Sequence, residues 1–157
     1  MIVEKIIEQF KFLIEKRDLW RDLYASGKPR FEKASQRMFY VIAHSYCQAN
    51  GLDITPEAET GRGPVDFKLS VGIDTRILVE IKLSTNKQVM HGYDKQLTVY
   101  AEAEKPIESY YVVINVGGLG KKEAELVYKK DQLEKKLGRA PKIVVIDGTP
   151  KKSASLA

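Results

Sequence analysis

Residues 61–84, GRGPVDFKLSVGIDTRILVEIKLS, constrain the fold more than any other part of the chain: two alternating runs flank a short turn that contains glycine. Successive side chains of a strand point to opposite faces. Val65, Phe67, Leu69 and Val71 are therefore expected on one face of the first strand, with Asp66, Lys68 and Ser70 on the other. In the second strand Ile77, Val79, Ile81 and Leu83 share one face, and Leu78, Glu80 and Lys82 share the opposite one. Each strand is thus apolar on one side and chemically loaded on the other. A three-residue turn, Gly72-Ile73-Asp74, pairs Val71 with Thr75 and sets Asp66 opposite Glu80. Cross-strand neighbours of this kind have Cβ atoms about 5 Å apart, and two carboxylates that close repel unless something positive sits between them. A hard divalent cation suits carboxylate and water oxygens, and Lys82, on the same face, offers a second positive charge. A two-residue turn would shift the register by one and break this pairing. The plain alternative is a polar, solvent-facing side of an antiparallel sheet.

The 157 residues, 43% of them apolar, suit one compact α/β domain, and 30% charged residues accompany a core of that size without implying disorder. A net charge of +5 permits a polyanionic partner without requiring one. The single cysteine, Cys47, excludes an intrachain disulfide and points to an intracellular, cytoplasmic protein. It lies in the helical run MFYVIAHSYC, where a small buried side chain is the expected role. No apolar run approaches the roughly 18 residues of a membrane helix, so no membrane partner is expected. The first residues interleave charged and apolar side chains, as an amphipathic helix does and a signal peptide does not.

That helix is expected over residues 2–25, with Ile2, Ile6, Phe10, Leu13 and Ile14 at helical spacing, and ends at Gly27-Lys28-Pro29. A second helix is expected over 31–50, with Phe39, Ile42, Ala43 and Tyr46 on one stripe. Extended runs follow at 53–59, 65–71 and 75–83, then a helix over 87–105, the strand SYYVVINV, a Lys/Glu-rich helix over 121–138 and the strand KIVVID. The paired lysines of that last helix belong to its exposed face. This order predicts an α/β fold, a mixed sheet flanked by helices, its first strands antiparallel and its later ones joined by helical crossovers. Residues 1–28 form a helix or arm, 29–150 one domain and 151–157 a frayed tail.

Glu32 near a helix start, GPVDF, VEIK and the QLTVY of the following helix together resemble the PD-(D/E)XK nuclease superfamily, whose restriction-endonuclease-like core runs α-β-β-β-α-β. The resemblance covers about residues 31–116. Asp66 matches the family's metal-binding Asp, Glu80 and Lys82 its (D/E)-x-K pair, and Gln96 and Tyr100 the Q-x-x-x-Y motif of the RecB-like branch. Pro64 stands one place farther from Asp66 than the family name prescribes. The helical acid is Glu32 or, alternatively, Glu59. His44 is expected as a core or boundary histidine and His91 as an ordinary surface residue that could approach a phosphate.

The resemblance implies a Mg²⁺- or Mn²⁺-dependent DNA nuclease, such as a restriction, repair or phage-defence effector. Metal would lie between Asp66 and Glu80, with the carbonyl of Ile81 and with Glu32 directly or through water. Lys82 would orient the water or steady the phosphate, Gln96 would position Lys82, the water or a phosphate, and Tyr100 would lock its helix or touch the DNA backbone. Arg62, Lys68, Lys87 and Lys95 are candidate contacts to DNA phosphates. A homodimer, an upstream domain or a partner subunit would complete so short a nuclease. The alternatives are a non-catalytic nucleic-acid- or protein-binding module and a Holliday-junction resolvase.

Overall fold

A computed structural model of the chain describes residues 1–95 and 99–152. Gln96, and most of the expected tail, lie outside the described residues. The architecture is the mixed α/β sheet expected from the element order. Helix α1 (Ile2–Lys16) is followed by a 3-10 turn (Leu19–Leu23), the short hairpin β1 (Tyr24–Ala25) and β2 (Lys28–Pro29), and helix α2 (Glu32–Ala49). Strands β3 (Asp53–Glu59), β4 (Pro64–Val71) and β5 (Thr75–Leu83) come next. Helices α3 (Val89–Lys95) and α4 (Ala101–Glu104), strand β6 (Glu108–Asn115), helix α5 (Lys122–Leu137) and strand β7 (Lys142–Asp147) complete the order. The five-stranded sheet runs β3-β4-β5-β6-β7, antiparallel through β5 and parallel from β5 to β7.

One face of the sheet packs on α1 and α2. Val3, Ile6, Phe10 and Ile14 meet Phe39, Ala43 and Cys47 over Phe67, Val79, Ile81, Val112 and Ile146. The first helix is therefore part of the main core rather than a projecting arm, and Lys11 ties it to β7 through the carbonyl of Val145 at 2.8 Å. It also ends earlier than its apolar spacing suggests: the chain turns at Asp18, with φ of 63°, into the 3-10 segment that buries Trp20 and Leu23. On α2 the buried stripe is Ala34, Phe39, Ala43 and Cys47, while Tyr46 is exposed. His44 is exposed too, against Tyr40, and not a core histidine. The opposite face of the sheet packs on α3 and α5 through Val89, Tyr93, Tyr111, Val113 and Leu126. At Gly92 a Cβ would lie 2.7 Å from the Tyr111 hydroxyl and 3.5 Å from Lys82 Cε, so the glycine lets α3 settle onto the sheet beside Lys82.

Candidate active site

The turn between β4 and β5 has three residues, and Val71 pairs with Thr75. The ladder continues regularly to Phe67 opposite Val79 and stops there, although β4 runs on to Pro64 and β5 to Leu83. The next positions are Asp66 and Glu80, whose side chains take over the backbone bonding. Asp66 N–H donates to Glu80 Oε2 at 3.0 Å, and Ile81 N–H donates to Asp66 Oδ2 at 2.7 Å. On the other side of β4 the pairing with β3 skips Glu57 opposite Asp66, and Glu57 holds φ at 50°. The strand reverses its faces across this gap. Phe67 and Leu69 lie in the main core, whereas Val65 packs with Ala58, Leu78 and Tyr100. The expected shared face of Val65, Phe67, Leu69 and Val71 is corrected accordingly, and Val71 at the turn is half exposed.

The gap lets the first turns of α2 reach the charged face of β5. Glu32 accepts from Leu83 N–H at 3.0 Å and from the Asn86 amide at 2.8 Å, and its other oxygen lies 3.5 Å from Lys82 Nζ. One helical turn on, Gln36 donates to Asp66 Oδ1 at 3.0 Å. Lys82 Nζ also reaches Glu80 Oε1 at 2.9 Å. Glu32 and Glu80 thus share one ammonium, Asp66 is bonded to the backbone and to Gln36 beside them, and Glu80 is 5% exposed. Burial, and then the charge of Glu80, push the Asp66 carboxyl up to about 7, against the pull of Ile81 N–H and Lys82. Burial alone would lower Lys82, but Glu80, Glu32 and Asp66 outweigh it and hold the ammonium above its ordinary range.

Of the candidate site residues, Asp66, Glu80, Lys82, Ile81 and Glu32 come together here. Glu59 does not: its carboxylate caps the β3–β4 loop by accepting from Gly61 and Gly63 N–H. Tyr100 is 6% exposed and donates to the Pro64 carbonyl at 2.9 Å, so it locks its segment to the start of β4 rather than offering a hydroxyl to DNA. Lys68 turns away to Glu104 at 3.5 Å. Arg62, Lys87 and Lys95 are exposed. So is His91, whereas Cys47 is buried and burial raises its thiol. Gln36 and Asn86 were not singled out from sequence. The available signal for Gln36 was its position one turn after Glu32 on the buried side of α2.

The donor set is that of a hard cation, all oxygen and carboxylate-rich, and its negative charge exceeds its positive charge. Every oxygen of Asp66, Glu80 and Glu32 is already engaged by an N–H group or by Lys82. Among the described residues, no three His, Cys, Asp or Glu side chains are placed so that they could hold a metal ion together. The chemistry of the donors fits a divalent cation, and taking one would require these carboxylates to exchange partners.

Residues 1–118 match the profile of a family described as a domain of unknown function, DUF8371. The chain belongs to the DUF8371 family. The matched residues run through β6 and contain the whole carboxylate–lysine cluster, while α5 and β7 follow them. No curated protein matches the chain, and no solved structure does. No helix among the described residues is long and apolar enough to cross a membrane.

Proposed function

We infer that this DUF8371 chain is a metal-dependent nuclease that hydrolyses phosphodiester bonds of DNA, as its resemblance to the PD-(D/E)XK superfamily implies. One observation carries the reading: three carboxylates and one lysine meet where the β4–β5 ladder stops, with Asp66 held near 7 by burial and charge repulsion. The cluster is buried and carries more carboxylates than cations, a deficit of positive charge that a divalent cation would fill.

Asp66 and Glu80 would hold Mg²⁺ or Mn²⁺, with Glu32 beside them. When bound, the cation supplies Lewis acidity toward water and phosphate oxygens. Lys82, held charged by Glu80 and Glu32, presents a fixed positive charge where a phosphate gains negative charge in displacement. Gln36 orients Asp66. Gly92 and the α3 backbone close over the lysine stem, so the ammonium is confined to the cluster. Arg62 and Lys87, exposed on loops next to β4 and β5, would meet neighbouring phosphates.

The fully engaged carboxylate oxygens favour one other reading, a nuclease-like module that binds nucleic acid without cutting it. Incubation with Mg²⁺ or Mn²⁺ and a panel of plasmid, linear duplex, single strands, flaps and four-way junctions separates the two. The nuclease reading expects cleavage that is lost with EDTA, in Asp66→Ala and in Glu80→Ala. Nucleic-acid binding with no cleavage by a metal-loaded, folded protein would overturn it in favour of the module. Selective cutting of four-way junctions by a dimer would identify a resolvase.

A further inference from the structure

A groove of about 240 Å³ opens beside the carboxylate cluster, between α2 and the β3–β4 pair. Gln36 and Asp66 line it, so it communicates with the reacting carboxylate. Lys33 and Arg37, one helical turn apart, line its α2 side, and Pro56 and Glu57 its β3 side. Arg37 is exposed and has no ion pair among the described residues. Lys33 is paired with Glu57 across the groove. Glu57 is the residue at which the β3–β4 pairing skips a position, and its φ of 50° is unfavourable for a side chain of this kind. Strained residues of this sort cluster at functional sites, and here the strain turns a carboxylate onto a lysine at the groove.

We propose that this groove binds the phosphodiester next to the one cleaved, with Arg37 as its standing phosphate contact and Lys33 held by Glu57 until a nucleic-acid strand displaces that carboxylate. The proposal rests on the nuclease reading for the identity of its ligand. Two cations on one wall, one free and one released by exchange, match a polyanionic backbone, and Asp66 at the same groove places the reaction next to it. Glu57 acts as an internal competitor for the phosphate, so removing its charge strengthens binding where removing Arg37 weakens it.

The test is the salt dependence of binding of labelled single-stranded and duplex oligonucleotides in EDTA, where no cleavage is needed. Each duplex phosphate contact contributes about 0.9 to the slope of log affinity against log salt. Arg37→Ala is expected to lower the slope by about one contact and weaken binding several-fold. Glu57→Gln is expected to raise both. Arg139→Ala, in a separate cavity formed by the end of α5 and the start of β7, is expected to change neither. Unchanged slopes in Arg37→Ala and Glu57→Gln overturn the groove while leaving Glu80-dependent cleavage, measured in parallel, to stand. Opposite slope changes without any cleavage sustain the groove and overturn the nuclease. Absence of binding in EDTA and in Ca²⁺ overturns the groove, and absence of cleavage in Mg²⁺ and Mn²⁺ as well overturns both.

Discussion

The same hairpin carries two charged clusters that solve opposite problems. Toward the turn, Lys68 and Arg76 of β4 and β5 converge on Glu104 of α4 at 3.5 and 3.8 Å, and Arg76 also donates to the Glu104 carbonyl at 3.2 Å. Two partly exposed cations meet one carboxylate, beside a ladder that stays regular. At the far end, Glu32 and Glu80 meet one ammonium, with Asp66 beside them, where the ladder has stopped. The first cluster ties a helix to the sheet and leaves each charge with a partner. The second concentrates negative charge in a buried gap and tolerates a carboxyl whose ionised form is disfavoured. In both clusters a helix adds an acid to charged side chains of the hairpin, and the two differ in the sign of the excess charge and in burial.

Glu80→Ala should break this contrast most sharply. Cleavage in Mg²⁺ is expected to fall by on the order of 100-fold or more, whereas Glu104→Ala should stay within a few-fold in the same plasmid assay. Equal losses would make the two clusters functionally alike.

Protonation gives the next test. Asp66 has an ordinary value of 3.8 and a folded value of about 7, so the folded chain binds the extra proton between those limits. The contribution of this group to stability is therefore fully present below about 4 and is lost as pH rises through 7. Thermal melts of the metal-free protein minus those of Asp66→Asn should show that decline, and added Mg²⁺ should reverse it above pH 7. A difference curve that rises with pH would contradict the assignment.

Gly92→Ala probes the packing over Lys82. The added methyl meets the buried Tyr111 hydroxyl, which already donates to the Val89 carbonyl at 2.6 Å. A loss of about 1–3 kcal/mol is expected in chemical denaturation, with Lys82-dependent activity falling alongside. Gln36→Ala removes the amide from Asp66 and should weaken Mn²⁺ binding about tenfold in calorimetry. Smallest of all, Glu104→Ala frees two partly exposed cations and should cost about 1 kcal/mol or less in the same unfolding experiment.

The alternation in β4 and β5, with the length of the turn between them, was enough to place Asp66 opposite Glu80 and Lys82 beside them. Period-two patterning and register are local properties, written in consecutive residues. The antiparallel-then-parallel sheet was legible for a related reason: short turns force hairpins, and helical crossovers accompany parallel neighbours. The packing of α1 was not legible as part of the core, because an amphipathic stripe states that a helix is buried and not against what.

The choice of Glu32 over Glu59 was equally beyond the sequence. Both are acids near the right elements, and only the gap at Asp66 admits the first turn of α2 while the glycine loop claims Glu59. Gln36, Asn86 and the face reversal at Val65 depend on the same gap. It arises where Glu57 leaves the strand conformation, and its position is set by contacts between segments distant in the chain. Residues adjacent in sequence carry their own spacing with them; partners brought together by folding are chosen by the packing of everything between.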